Sequence, residues 1–351
     1  MADEVISKDI AEIVEHNAEL YRKLDGSRIL VTGCAGFLGA HFLDLLAYWN
    51  EHKAKAPCEI HALDTYISGV PKRIAHLMDH PHMRILKQSA TDPLPDSGFD
   101  YIIHCAGIAS PIFYRKYPIE TMDANVAATR NILDYCAKNK AKSMLFFSSS
   151  EVYGDPPASQ IPTKEDYRGN VSCTGPRACY DESKRYGETM CVNFWKANGV
   201  PVKMVRPFNI YGPGMRIDDR RVLPDFFRDA FDGKDIVLLS DGKATRSFTY
   251  VSDAIDGFMR VLLSDFNGEA FNVGNDREEI SVLALAKEVS GLFGGKISVT
   301  YQTSDDKNYL VDNPNRRCPD ITKIRTMLGY EPRVMIKEGL ARMKRWYEYS
   351  R

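Results

Sequence analysis

The chain is expected to fold as an α/β protein, a doubly wound parallel sheet carrying a smaller α+β lobe. Three observations lead there. From Arg28 to Arg206, short apolar strands alternate with helix-length segments, the rhythm of a parallel sheet covered by helices on both faces. A glycine-spaced turn, Gly33-Cys34-Ala35-Gly36-Phe37-Leu38-Gly39, follows the first of these strands. After Arg206 the rhythm breaks into the turn-rich run Pro207-Phe208-Asn209-Ile210-Tyr211-Gly212-Pro213-Gly214 and then shorter elements.

Taken in order, residues 6–25 place Ile6, Ile10, Ile13, Val14, Leu20, Tyr21 and Leu24 at roughly helical spacing before Asp25-Gly26 ends the pattern. This extension, residues 1–26, should pack on the body or on a neighbouring subunit. Strands are expected over 28–32, 59–64, 83–88, 101–105, 143–148 and 202–206. Helices are expected over 36–49, 118–138 and 180–198. These elements make a ligand-binding sheet domain of residues 27–206, with a returning segment at about 244–262. Residues 207–351 form mainly the second lobe, ending in a helix from Lys337 to about Tyr347. Ligands of such sheets sit beyond the carboxyl ends of the strands.

Composition narrows the function. The 351 residues are 44% hydrophobic and 26% charged, with a formal net charge of -1. Nothing in that balance suggests a nucleic-acid partner. The eight cysteines show no CxxC pair and no metal-ligand spacing, so no metal is expected, and a reducing, cytoplasmic setting fits better than a disulfide framework. The first residues are too polar for a signal peptide, and no apolar run reaches membrane-spanning length, so no membrane partner is expected.

The glycine turn has the chemistry of a diphosphate cradle. Gly33, Gly36 and Gly39 allow a sharp bend and close backbone approach, and the helix beginning at Phe37 and Leu38 offers free N–H groups. The spacing is GxxGxxG rather than GxGxxG. Asp64 closes the second strand, 25 residues after Gly39, where a carboxylate can hold both ribose hydroxyls and repel a 2′-phosphate. NAD is therefore favoured over NADP, with Arg73 the nearest basic residue on the other side of the argument. Asp92 is a candidate for the adenine, or a solvated loop carboxylate. Ala106, in His104-Cys105-Ala106-Gly107, ends the fourth strand with small residues that suit close approach to a cofactor. Asn125 is a candidate to pin a neighbouring strand end.

Tyr180 and Lys184 lie four residues apart, on one face of a helix. A nearby ammonium is expected to depress the phenol pKa, letting Tyr180 take a proton from a substrate hydroxyl while hydride leaves the same carbon. Ser149, in Ser148-Ser149-Ser150-Glu151-Val152-Tyr153-Gly154, would share that proton. Each segment alone is a weak signal. In this order they point to redox chemistry on a sugar-like alcohol.

These segments resemble the extended short-chain dehydrogenases/reductases, the NAD-dependent nucleotide-sugar epimerase/dehydratase group, and within it the UDP-glucuronate decarboxylases. The shared segments are Ala109-Ser110-Pro111, Ser150 to Pro156, Gly175 to Glu182, Thr245 to Asp253 and Pro319-Asp320-Ile321. The resemblance implies a Rossmann-type domain, NAD, a UDP-sugar substrate and a homodimer formed through the 118–138 helix and the helix carrying Tyr180. It makes Ser149 the hydroxyl residue beside Tyr180. Ser150 stands where 4,6-dehydratases have an acidic Asp, which disfavours dehydration. Glu151 matches the Glu of both groups. Arg246 matches an Arg near the sugar, Ser110 and Asn209 match substrate contacts, and Arg221 and Arg317 match basic positions around the diphosphate. Structural alternatives remain for Arg246, a salt bridge with Asp253, and for Ser150, a strand-end hydrogen bond. Decarboxylation of UDP-glucuronate to UDP-xylose is the leading expectation. A 4-epimerase or an oxidase releasing a 4-keto sugar shares nearly every motif, and a non-catalytic NAD sensor is the remaining class.

Overall fold

The computed structural model describes residues 2–95, 97–305 and 311–350. Six strands arrive at the expected places: β1 (Arg28–Thr32), β2 (Glu59–Asp64), β3 (Met83–Lys87), β4 (Tyr101–His104), β5 (Ser143–Phe147) and β6 (Val202–Pro207). The strand Ala270–Val273 pairs with β6 and completes a seven-stranded sheet. From that edge the order is Ala270–Val273, β6, β5, β4, β1, β2, β3, and all neighbours run parallel. The chain winds one way through β1, β2 and β3 and the other way through β4, β5 and β6. The reversal opens a crevice beyond the carboxyl ends of β1 and β4. β4 and β5 are buried along their whole length, as strands covered on both faces must be.

Helices α1 (Ala2–Tyr21), α2 (Phe37–His52), α3 (Pro111–Lys116), α4 (Pro118–Asn125), α5 (Ala127–Asn139) and α6 (Ala178–Asn198) follow the sequence closely, with one difference. The single helix expected over 118–138 is divided at Val126 (φ −113°, ψ −64°). Asn125 explains the break. Its Nδ2 donates to Ser183 Oγ at 2.9 Å, and its carbonyl accepts from Thr129 Oγ1 at 2.8 Å. A side-chain hydroxyl on a ladder carbonyl is a recognised cause of helix bending.

α1 buries Val5, Ile6, Ile10, Ile13, Val14 and Tyr21 against α2 and the helices Val251–Leu262 and Ile336–Ser350. Two polar anchors hold it. Tyr250 donates its hydroxyl to Asp9 Oδ2 at 2.6 Å, and Arg342 ion-pairs with the same carboxylate. Near its end Asn17 leaves helical geometry, donates to Asp256 Oδ1 at 2.8 Å and accepts from Arg260 at 2.5 Å.

In the second half of the chain the strand Thr245–Ser247 lies between Glu279–Ser281, antiparallel, and Arg316–Arg317, parallel. That register sets Arg246 beside Arg317. Among the described residues no helix is long and apolar enough to cross a membrane.

Candidate functional site

A cavity of about 1630 Å³ runs from the glycine turn past the serine cluster to the second lobe. Its first end is shaped by glycine. Gly33 has φ +70°, and a Cβ there would meet the Ala106 backbone at 2.7 Å. A Cβ on Gly39 would lie 2.1 Å from the Gly33 carbonyl oxygen. Side chains at either position would force β1, β4 and α2 apart and fill the cradle. Gly33, Gly36, Phe37, Leu38 and Gly39 all line the cavity, and the first amides of α2 have no carbonyl partner within the helix. A diphosphate fits that surface.

Asp64 ends β2 as expected, and its carboxylate is already partly engaged. Ala35 N–H donates to it at 2.9 Å and Tyr66 N–H at 2.7 Å. Burial nonetheless raises its pKa. Gly69 lies so close that a Cβ there would stand 2.8 Å from Oδ1. Arg73 also lines the cavity, with its guanidinium paired to Asp44. Asp92 takes the second of its two expected places, a solvated loop carboxylate. It is exposed and is not among the cavity-lining residues, and its carboxylate accepts from Ser89 N–H at 3.2 Å within its own loop. Ala106 packs against Gly33 and donates its N–H to Thr32 Oγ1 at 3.3 Å. Asn125 Oδ1 is buried without a hydrogen-bond partner. A Cβ on Gly107 would lie 3.1 Å from that oxygen and 3.3 Å from Lys184 Nζ, so the glycine lets the backbone pass close to both groups.

α6 brings Tyr180 and Lys184 onto one face, and β5 delivers Ser149 and Ser150 beside them in the cavity wall. Ser149 Oγ caps the short turn that follows, accepting from Glu151 N–H at 3.2 Å. The electrostatics differ from the expectation of a depressed phenol. Burial pushes Tyr180 up to about 12, and a hydrogen bond with Ser149 opposes that only in part. Lys184 does not offset the burial. Its Nζ donates to the Phe147 carbonyl at 2.7 Å and lies 5.7 Å from the centre of the Tyr180 ring. Burial also lowers Lys184 itself, to about 7. In the free protein Tyr180 is thus a protonated phenol. Tyr114 stacks on it, with ring centres 5.2 Å apart.

The opposite end of the cavity holds a cluster that sequence spacing did not reveal. Arg317 was expected at a diphosphate, but it makes a two-pronged pair with Glu151 at 2.6 Å on each arm. Arg177 reaches the same carboxylate at 2.5 Å. Burial alone would raise Glu151, but Arg177 and Arg317 overcome it and bring the carboxyl down to about 2. Arg246 stands alongside with its guanidinium held by Pro314 and Thr245 carbonyls at 2.5 and 2.8 Å. Burial, then Arg317, lowers it to about 9. The alternative partner for Arg246, Asp253, instead accepts from the Arg333 and Val334 amides at 3.0 and 2.9 Å. Two buried guanidiniums, Arg246 and Arg317, and the half-buried Arg177 therefore surround one ionised carboxylate.

The remaining candidates also face the cavity. Ser110 Oγ donates to the Asp219 carbonyl at 2.8 Å. Asn209, at φ +43°, donates Nδ2 to the Ser247 carbonyl at 2.8 Å. Arg221 pairs with Asp219. Arg177, Asp181 and Tyr114 were missed as a group. They meet Glu151 only because α3, the turn after β5 and the start of α6 converge, and no spacing in the sequence encodes that.

Comparison with known proteins agrees with this geometry. Residues 29–274 match the model of the NAD dependent epimerase/dehydratase family. The chain is 39% identical over 317 residues to UDP-glucuronic acid decarboxylase 5 of Arabidopsis thaliana, covering 90% of this chain and 88% of the relative. It is 38% identical to UDP-glucuronic acid decarboxylase 1 of Xenopus tropicalis, covering 90% and 71%. A dTDP-glucose 4,6-dehydratase from Streptomyces venezuelae, solved with NAD bound, superposes with a TM-score of 0.80 at 26% identity, covering 92% of this chain and 98% of that one. The chain belongs to the NAD dependent epimerase/dehydratase family of sugar-nucleotide enzymes, and its cofactor is NAD.

Proposed function

We propose that the protein oxidises the C4 hydroxyl of UDP-glucuronate, removes the C6 carboxyl as carbon dioxide, and reduces the resulting ketone to give UDP-xylose. The observation that carries this reading is the excess of positive charge at the sugar end. Arg246 and Arg317 are buried and Arg177 half-buried around Glu151, and a substrate carboxylate is the anion that would balance them. A neutral hexose offers nothing there. Two named relatives that match 90% of the chain are UDP-glucuronic acid decarboxylases, which supports the same conclusion.

The chemistry follows from the site. NAD, when bound, supplies the two-electron oxidant for C4. Gly33, Gly36, Phe37, Leu38 and Gly39 would hold its diphosphate, Asp64 its adenosine ribose, and Ala106, Tyr180 and Lys184 the nicotinamide end. Ser149 orients the C4 hydroxyl, and Tyr180, which must first release its own phenol proton beside the positive nicotinamide ring, would take the hydroxyl proton as phenolate and return it when the ketone is reduced. A ketone at C4 lies β to the carboxylate, so the C5–C6 electron pair can pass into an enolate as carbon dioxide leaves. Arg246 faces that developing charge. Ser110, Asn209 and Arg221 hold the nucleotide side, while Arg317 stays paired with Glu151 in the nest. Ser150 replaces the acid that a dehydratase needs.

We also place the protein in the cytoplasm as a homodimer. Its eight cysteines are all free, which suits a reducing compartment. Ile119, Met122 and Tyr186 leave apolar surface exposed on α4 and α6. Light scattering on the purified chain should give twice the monomer mass. The reaction is tested by NMR analysis of the product from UDP-glucuronate.

A further inference from the structure

Asp181 follows Tyr180 on α6 and has no part in the reaction described so far. It is 4% exposed. Its Oδ1 is buried without a hydrogen-bond partner, and its Oδ2 lies 3.6 Å from Arg177 Nε. The other end of the same guanidinium binds Glu151 Oε2 at 2.5 Å. Two carboxylates thus share one cation. The groups facing Asp181 are Glu151 from the turn after β5, Arg177 ahead of α6, Arg317 from its own short strand, Tyr114 from α3, and Cys179 and Tyr180 from α6. The Tyr114 hydroxyl is also buried without a partner, so the locale has unused capacity for hydrogen bonds.

We propose that Asp181 is a positioning residue that shares one proton with Glu151 across Arg177, so that Glu151 can carry the proton that replaces the carboxylate at C5 of the sugar. The inference rests on the decarboxylase reading. That reaction consumes a proton: the C5–C6 bond breaks, its electron pair enters the C4–C5 enolate, carbon dioxide departs, and a C5–H bond forms. Glu151 gives the proton to C5, Asp181 restores it to Glu151, and solvent recharges Asp181. In the empty pocket the proton sits on Asp181. Burial and the neighbouring Glu151 charge raise that carboxyl to about 7, against the opposing pull of Arg177 and Arg317. A substrate carboxylate entering the nest competes with Glu151 for the guanidiniums and raises both carboxyls. Its departure as carbon dioxide lowers them again and frees the proton.

The test is Asp181→Asn in the NAD-loaded enzyme, with Asp181→Glu as the conservative partner. Infrared difference spectra between pH 6 and pH 9, without sugar, should show a protonated-carboxyl C=O band in the wild type that Asp181→Asn lacks. With UDP-glucuronate, Asp181→Asn should lower kcat by about tenfold to a hundredfold, lose the wild-type alkaline limb of the kcat profile, and still build up reduced nicotinamide absorbance. Asp181→Glu should restore both rate and limb. Wild-type kcat and pH profile in Asp181→Asn, or a carboxyl band unchanged between wild type and Asp181→Asn, would overturn the proposal. If Asp181→Asn does not fold, the shift of the band in Asp181→Glu and that variant's pH profile decide, because Asp253, also raised to about 7, has a carboxyl band of its own. A wild type that never turns over UDP-glucuronate sinks the decarboxylase reading and the proton's destination, while the difference in band between wild type and variant still reports whether Asp181 holds a proton.

Discussion

At Tyr180 burial raises the phenol and the hydrogen bond with Ser149 lowers it, and burial prevails in the free protein, where the phenol is held up at about 12. A protonated Tyr180 suits the reductive half of the cycle, in which the C4 ketone oxygen needs a proton. Tyr180→Phe should reduce kcat by about 10²–10⁴-fold while NAD affinity, followed by fluorescence titration, stays at the wild-type value. A variant that retains activity removes Tyr180 from the reaction. Arg246 belongs to the later step. Arg246→Ala should slow carbon dioxide release by about 10²-fold or more yet permit C4 oxidation, seen as accumulating reduced nicotinamide absorbance. Wild-type yield of the pentose product would contradict its role. The phenol, lysine and serine were legible in the sequence because local order puts them together: Tyr180 and Lys184 by helical spacing, Ser149 by its place at a strand end. The guanidinium nest was not. Glu151 and Arg317 are separated by 166 residues, and only the folded second lobe joins them.

Among the elements, α1 was legible as an amphipathic helix but its anchors were not. Its apolar stripe is a matter of spacing, whereas Asp9 meets Tyr250 and Arg342 across most of the chain. Burial raises Asp9 to about 6, so the carboxylate is ionised at neutral pH only with that support. Asp9→Ala should therefore cost about 3 kcal/mol of stability in urea unfolding, because Arg342 and Tyr250 lose their partner inside the fold. A loss within about 0.5 kcal/mol would mean that the apolar stripe docks α1 unaided. The split between α4 and α5 teaches a similar lesson. Apolar spacing runs through Val126 without interruption, and only the Asn125 and Thr129 side-chain bonds mark the bend.

The parallel sheet, its first six strands and the ligand face beyond their carboxyl ends were the most legible features of the whole molecule, because continuous apolar strands and crossover helices leave few alternative topologies. The seventh strand, Ala270–Val273, was not anticipated, since it returns from beyond the second lobe to the edge at β6. Buried charge also gives the whole molecule a pH signature. Burial raises Asp9 to about 6 and Asp181 and Asp253 to about 7. The folded state keeps protons that these residues release in the unfolded chain above about pH 4, so their contribution to stability is complete below pH 4 and is lost as pH rises to 7. Asp44 and Glu151 act in the opposite sense. Burial opposes ionisation of both, but Arg73 beside Asp44 and Arg177 beside Glu151 hold each near 2, so that contribution is lost as pH falls from about 4 to 2. Lys184 and Lys203, lowered by burial to about 7 and 8, favour the folded state as pH rises beyond those values. His41 and His104, lowered by burial to about 4 and about 3, oppose the aspartates over the same window, so the aspartate contribution is read as a difference: the urea midpoint of the wild type relative to Asp253→Asn should fall from pH 4 to 7. A difference that rises over that window would contradict the assigned burial of Asp253.

The central claim is that a Tyr180 redox site and an arginine nest act together on a sugar carboxylate. Its most direct test is NMR analysis of the product after incubating the purified protein with NAD and UDP-glucuronate. UDP-xylose, with loss of the carboxyl carbon, is the predicted result. UDP-galacturonate with the carboxyl carbon retained, or no turnover of UDP-glucuronate, would contradict it.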